Sequence, residues 1–389
     1  MPTAPVAPRP EPVVPDYGGA CIGSVVPALL DVLSGAEPPP WLPSVVAGAN
    51  QVVLCVLDGL GAEQLAARAT LAPTLAGADG AGRPVTSVAP STTACALTSL
   101  TTGCPPARHG LLGYRLAAAD DAILNVLRWT IGGATQRDAR RIVPPRSLQP
   151  CPPFPGAPGP VTVVTREGFG STGFTAAHLG DAPLSPYAVT STIAVDVRRL
   201  LAAGHRFTYV YYDGLDKVAH AHGLGEHFDA ELAAADRLVA ELAGLLPRGA
   251  VLVVTADHGQ VDVGPALEVL GAEVMDGVRL LTGEGRFRWL HALPGAIDDI
   301  LQAATERYGD RAWVVTRQAV IERGWFGGVP RPDVVARLGD VALVPYEPIA
   351  FLDPADTGES RLASRHGSLT PAEMLVPLLA LDGGGNITG

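Results

Sequence analysis

The chain of 389 residues is poor in charge, in aromatics and in cysteine: 17% of its residues are charged, 5% are aromatic and five are Cys. No charge-free apolar run approaches the roughly 20 residues needed to cross a bilayer, and the opening MPTAPVAPRPEPVVPDYGG has neither a basic start nor a continuous apolar stretch. No membrane partner and no secretory signal are therefore expected. The cysteines, Cys21, Cys55, Cys95, Cys104 and Cys151, are odd in number and show no CxxC spacing, which speaks against a disulfide scaffold and a thiolate metal site. A reducing, cytoplasmic setting is the expectation. Basic residues are also in deficit, 28 Lys plus Arg against 39 Asp plus Glu, for a net charge of -11. That balance offers nothing general to a nucleic-acid duplex or an anionic lipid, so an anionic ligand needs a local positive site such as a metal. Low charge combined with 47% hydrophobic residues excludes disorder for the bulk of the chain. The length suits two or three domains, or one large α/β domain with insertions. Nothing in the sequence sets the oligomeric state.

Prolines at near-alternate positions over residues 1–15 predict an extended arm, and residues 1–20 are read as a poorly ordered tail. VVLCVL at 52–57 is apolar throughout, as a buried parallel strand is, and runs into Asp58-Gly59. Similar runs recur at 161–165, 207–212 and 251–255, and PVTSVA before Ser91 is read as a further strand. Between the third and fourth runs, residues 226–246 carry Phe228, Leu232, Ala235, Val239 and Leu242 at helical spacing. Strand, helix, strand implies a right-handed parallel crossover. The fold class is therefore α/β, a mostly parallel central sheet with helices on both faces. The core is assigned to 21–263 and 356–389, and 264–355, strand-rich with one helix at 296–308, is read as an inserted α+β cap. The proline-dense segment at 150–160 marks a surface connection.

In an open parallel sheet the ligand crevice lies at the carboxyl ends of the strands. Asp58-Gly59, Ser91-Thr92-Thr93, Asp213 to His222 and Asp257-His258-Gly259 each follow a predicted strand, and His366-Gly367 lies in a loop before the last apolar run. Singly, each has a bland explanation: Asp-Gly suits a turn, Asp216 and His220 suit a solvated helix face, and His366 suits a surface imidazole. Asp257 and His258 would diverge on a regular strand and converge only if the backbone bends, which Gly259 permits. Together, carboxylates and imidazoles without thiolates are the donor set for zinc or another first-row divalent ion. Two ions need about six protein ligands, and Asp58, Asp216, His220, Asp257, His258 and His366 supply them.

VLDGLG at 56–61, PSTTACALTSLTTGCPPARHGLLGY at 90–114, DGLDKVAHAHG at 213–223, TADHG at 255–259 and SRHGSLTPAEMLVPLL at 364–379 resemble, in order, the segments of the alkaline phosphatase superfamily. Within it, they resemble the type I phosphodiesterase and nucleotide pyrophosphatase branch. The resemblance implies an alkaline phosphatase-like core with two divalent metal ions, zinc first and manganese as the alternative. One ion would be held by Asp58, Asp257, His258 and a nucleophilic threonine, the other by Asp216, His220 and His366. The family spacing of Asp, His and Gly is met by Asp216, His220 and Gly223, leaving Asp213 and His222 as second choices. The nucleophile stands ten residues before the glycine of a Thr-Gly pair, and Thr102-Gly103 selects Thr93; Thr92 is left to cap the helix. Cys104-Pro-Pro-Ala-Arg108 resembles the sulfatase element, but there the cysteine precedes the Thr-Gly pair, and here it follows.

The chain departs from the family in having Ala94 and Ala96 where nucleotide pyrophosphatases carry a base-stacking phenylalanine and a phosphoryl-binding asparagine. Loss of such a donor costs roughly 3 kcal/mol unless another group replaces it. Arg115, Arg166 and Arg365 are the candidates, each with a surface or structural role as the alternative. The implied activity is hydrolysis of a phosphodiester or pyrophosphate bond in a small phosphorylated substrate, through a phospho-threonine intermediate. A phosphomonoesterase or phosphonate hydrolase using the same site is the alternative, and a metal-binding pseudoenzyme acting as a binding module is the non-enzymatic one.

Overall fold

The computed structural model describes residues 9–132, 136–356 and 358–383. Its centre is a six-stranded sheet of β1 (Gln51–Leu57), β2 (Thr162–Arg166), β3 (Leu184–Tyr187), β4 (Phe207–Tyr212), β5 (Ala250–Thr255) and β6 (Leu378–Asp382), in the order β6-β5-β1-β4-β2-β3. All neighbours are parallel except β6, which runs antiparallel to β5. β4 and β5 are buried along their whole length and β1 from Val52 onward, so both faces of the sheet are covered. That double burial is why these strands read as unbroken apolar runs rather than alternating ones.

Among the helices, α1 (Thr93–Thr102) and α2 (Gly214–His222) carry candidate site residues, and α3 (Glu226–Gly244) comes after them in the chain. α3 links β4 to β5 and buries Phe228, Leu232, Ala235, Val239 and Leu242, the stripe its spacing predicts. Because β1 lies between β4 and β5, the carboxyl ends of three adjacent parallel strands open side by side. PVTSVA does not join this sheet. Within it only Val85–Thr86 forms a strand, and it pairs antiparallel with Leu375–Val376 in a separate two-stranded sheet.

Residues 264–355 contain an antiparallel sheet ordered Val278–Glu284, Phe287–Ala292, Val341–Pro345, Ala312–Thr316, with the Ile297–Tyr308 helix packed on it. Leu290, Ile300, Tyr308, Leu343 and Phe351 form a separate apolar cluster within this segment, whereas Phe287, Trp289 and Trp313 pack into the main core. Two buried ion pairs clip it to the chain's return: Arg286 to Glu373, 2.6 Å, and Arg288 to Glu359, 2.6 Å. The tail expected over 1–20 is tied down where it is described. Val13 N donates to Leu369 O (2.9 Å), Trp313 Nε1 to Pro10 O (2.8 Å) and Tyr17 Oη to Trp325 O (2.9 Å), so the segment lies against both residues 264–355 and the returning chain. Residues 1–8 lie outside the described residues. Among those described, no helix is long and apolar enough to cross a membrane.

Candidate metal centre

Asp58 follows β1 directly, and Gly59 turns the chain with φ +78°. A Cβ on Gly59 would lie 3.1 Å from the Asp216 Cα, so this glycine also lets the start of α2 come close, where Asp216 N donates to Asp58 O (3.1 Å). On α2 the helical spacing sets His220 Nε2 3.2 Å from Asp216 Oδ1. Asp257 and His258 lie just past β5 and do converge, His258 Nε2 being 3.4 Å from Asp257 Oδ2. Gly259 contributes less by bending than by being small: a Cβ there would sit 2.0 Å from Ala372 O. His366 arrives on the returning chain, held against the segment before α1 by Ser91 N donating to Gly367 O (3.2 Å) and Ser91 Oγ to Ser368 O (2.6 Å).

All three imidazoles are oriented alike. His220 Nδ1 lies 2.8 Å from Ser364 O, His258 Nδ1 3.1 Å from Gly259 O and His366 Nδ1 3.0 Å from Ser91 O. A carbonyl can only accept, so Nδ1 carries the proton and each Nε2 presents a lone pair inward. His258 Nε2 lies 3.5 Å from Asp58 Oδ1 and 3.1 Å from Thr93 Oγ1, and the His258 and His366 rings stack at 3.5 Å. Two groups of donor atoms each fit around a point: Asp216, His220 and His366, and Asp58, Asp216 and His258. The first matches one implied ligand set. The second has Asp216 where the other implied set has Asp257, so Asp216 stands between the two groups.

The electrostatics call for a cation. Asp58 is 2% and Asp257 0% exposed, and Asp58 Oδ1 and Asp257 Oδ2 have no hydrogen-bond partner. Burial, then repulsion from Asp257 and Asp216, pushes the Asp58 carboxyl well above its usual range; burial also raises Asp257. Burial, then the neighbouring His258 and His220, pushes His366 well below the usual imidazole value. Tyr211 Oη donates to the other oxygen of Asp58, and Gly59 N and His258 N donate to Asp257 Oδ1 at 3.1 Å each. Gln260 Nε2 donates to Asp216 Oδ1 at 2.5 Å. One oxygen of each buried aspartate is thus fixed by the protein while the other is left bare beside an imidazole lone pair. Such a set of oxygen and nitrogen donors suits a first-row divalent ion.

Thr93 is the first residue of α1, 9% exposed, in a helix whose first-turn N–H groups have no intrahelical acceptor. Thr92 occupies the N-cap position, but its side chain makes no capping bond and instead interacts with the buried Glu284. Two of the arginine candidates are committed elsewhere: Arg115 pairs with Asp353, and Arg166 with Asp213 at 3.2 Å. Arg365 borders the site, and its guanidinium is turned to Glu359, 3.7 Å away. Asp213 pairs with Lys217, and His222 stacks on His227 at 4.1 Å, so neither joins the centre. Ala94 and Ala96 are fully buried. Sequence reasoning missed Tyr211, Gln260 and Glu284. Tyr211 is one of three tyrosines in FTYVYY, and nothing in the sequence singles it out; Glu284 carried no signal either.

Two cavities open at Thr93 and share Leu127 and Asp216 in their walls. One, about 180 Å³, also reaches Asp58; the other, about 280 Å³, reaches His220, Glu284, Arg365 and His366.

The overall architecture is similar to that of human ectonucleotide pyrophosphatase/phosphodiesterase 5 (TM-score 0.65, 16% identity), over 85% of this chain and 88% of that one. The murine protein gives a TM-score of 0.63 at 16% identity, over 85% and 88%. An inactive variant of the murine protein in complex with AMP gives 0.62 at 16% identity, over 86% and 88%. No curated protein is significantly similar in sequence. The sequence pattern of type I phosphodiesterases and nucleotide pyrophosphatases matches residues 52–144 and 167–369, a span holding every donor described above. The chain belongs to the type I phosphodiesterase/nucleotide pyrophosphatase family, within the alkaline phosphatase superfamily.

Proposed function

We propose that the protein is a hydrolase of small phosphodiesters or pyrophosphates, with Thr93 as nucleophile. The observation that carries this reading is the placement of the Thr93 hydroxyl at a helix N-terminus, 3.1 Å from His258 Nε2 and beside carboxylate oxygens that lack partners. Asp58, Asp257, His258 and Thr93 would hold one divalent ion, and Asp216, His220 and His366 the other. Such ions, zinc or manganese, supply Lewis acidity, lowering the pKa of a bound hydroxyl or water and neutralising charge on phosphoryl and departing oxygens.

The chain's own contribution is positional. The free N–H groups at the start of α1 point at the phosphoryl oxygens, which offsets their negative charge without any side chain. The Thr93 hydroxyl loses its proton to solvent and Oγ1 attacks phosphorus, forming an Oγ1–P ester as the bond to the departing oxygen breaks and that oxygen takes a proton from solvent. Water then cleaves that ester, releasing the phosphoryl product and restoring the hydroxyl. Tyr211, Gln260 and the three backbone carbonyls on Nδ1 atoms keep the donors aimed while substrate enters and leaves.

The two cavities meeting at Thr93 favour a phosphorus bearing two substituents, which is a diester or pyrophosphate rather than a monoester. The AMP complex of the murine relative supports a small phosphorylated molecule as the substrate class. Thr93→Ala is expected to abolish hydrolysis of bis-p-nitrophenyl phosphate while metal content, read by elemental analysis, stays at two ions. Near-normal turnover in that variant overturns the nucleophile assignment. Faster cleavage of p-nitrophenyl phosphate than of the diester assigns the site to monoesters.

A further inference from the structure

The smaller cavity at Thr93 has a composition that a nucleotide does not match. Leu97, Val163, Phe169, Phe174, Leu179 and the Tyr209 ring make up its apolar wall, contributed by α1, β2, β4 and the 167–179 segment, and Asp58, Asp213, Asp216 and Lys217 border it. Leu97 is four residues after Thr93 on α1, on the same face, so the cavity continues from the hydroxyl along the helix. Several of its hydrophilic groups are already engaged. Thr175 Oγ1 donates to Phe169 O (2.8 Å), Thr172 Oγ1 donates to Thr175 Oγ1 (3.0 Å), and Lys217 is paired with Asp213. His178 stacks on Phe174 at 4.1 Å, and burial pushes it down to about 4, so its ring is uncharged at neutral pH. The Tyr209 hydroxyl, buried and without a hydrogen-bond partner, is left to meet a polar atom.

A nucleobase presents more donors and acceptors than this largely apolar wall answers, and buried polar groups left unpaired are what a binding site rejects most strongly. The volume, about 180 Å³, is comparable to the roughly 150 Å³ of an apolar cavity that takes benzene. A nucleoside is far larger than a single ring. The position 94 side chain, a fully buried alanine outside this wall, provides no aromatic face for stacking.

We infer that this cavity is a substituent pocket for one aromatic ring or a short branched alkyl group esterified to the phosphorus, so that the substrate class is an aryl or alkyl phosphodiester rather than a nucleotide. The inference rests on the reading of Thr93 as nucleophile given above. It places the apolar substituent against Leu97 and the second, polar substituent in the larger cavity beside Arg365 and Glu284.

The test uses the metal-loaded full chain and diesters that share a p-nitrophenolate leaving group, with methyl, phenyl or thymidine 5′ as the other substituent. The phenyl ester is expected to exceed both others in kcat/KM by at least about tenfold. Leu97→Phe, which fills the cavity, lowers the phenyl-to-methyl ratio by about the same factor. Val163→Ala, which enlarges it, raises the 2-naphthyl-to-phenyl ratio, so the inference stays testable if the first variant does not fold. Calorimetric binding of phenylphosphonate and methylphosphonate gives a readout free of turnover, with the phenyl compound about tenfold tighter. Equal rates for the three esters, or a thymidine 5′ preference, overturn the inference and leave diester hydrolysis standing. No turnover of any ester, together with tighter phenylphosphonate binding that Leu97→Phe removes, keeps the pocket and overturns the hydrolytic reading.

Discussion

Replacing Asp58 by asparagine should change the protein's stability in opposite directions with and without metal. Without metal, Asp58 Oδ1 is buried without a partner, and repulsion from Asp257 and Asp216 adds to the cost of its charge. An unsatisfied buried group costs about 1–3 kcal/mol, and more when charged. An asparagine carbonyl can still accept from Tyr211 while its amide faces the His258 Nε2 lone pair, so Asp58→Asn should stabilise the metal-free protein at pH 7 by an amount of that order. For a chain of 389 residues the unfolding entropy is roughly 0.8 kcal/mol/K, so 1 kcal/mol moves Tm by about 1 °C. The metal-free variant should therefore melt about 1–3 °C above the wild type.

With metal the order reverses. An ion at 1,000 times its Kd adds about 4 kcal/mol per site, so loading both sites raises the wild-type Tm by about 10 °C. The variant, short of an anionic ligand, loses one site's share of about 5 °C, and with its metal-free gain of about 1–3 °C should melt about 2–4 °C below the loaded wild type. The stabilisation seen without metal should also shrink at acidic pH. Because the folded Asp58 carboxyl is raised above its unfolded value, its penalty is absent below the unfolded value and grows as pH rises through the interval between the two. Differential scanning fluorimetry after chelation, and again with excess zinc or manganese, reads both signs. Destabilisation of equal size in both states refutes the reasoning, because it makes Asp58 a structural acceptor and not a metal ligand.

Glu284 titrates at about 8, chiefly because it is buried, with Glu359 and Glu373 adding to the rise. Between the unfolded value near 4.5 and about 8 the native state holds a proton that the unfolded chain has lost, so stability falls with rising pH by about 1.4 kcal/mol per pH unit. In Glu284→Gln the decline of metal-free stability from pH 5 to pH 8 should be visibly shallower; an unchanged slope in chemical denaturation assigns it to other groups. Arg286→Ala strands the Glu373 carboxylate, which also accepts from Ser368 N at 3.0 Å and Thr370 Oγ1 at 2.6 Å. A broken buried pair costs about 3–5 kcal/mol. Because Glu373 supports the segment just after His366, the variant should also bind its second metal more weakly, and retention of two ions with wild-type affinity by titration counts against that coupling.

The sequence by itself determined the parts that depend on local physics. Runs such as FTYVYY and VLVVT had to be doubly covered strands because they offer no polar face, and the spacing of Phe228, Leu232, Ala235, Val239 and Leu242 allowed only a helix with one buried side. Asp216 and His220 were legible as a pair because four residues make one helical turn. Tertiary structure alone decided that PVTSVA would stay out of the central sheet, since its Val85–Thr86 takes its backbone partner from Leu375–Val376, far along the chain. It decided that Asp216, and not Asp257, stands between the donor groups, because that depends on how far Gly59 lets α2 approach β1. It also brought Glu284 to Thr92 and turned Arg115 and Arg166 toward aspartates. These contacts join residues far apart in the chain, and no periodicity, spacing or residue type encodes which distant partner a polar side chain will meet.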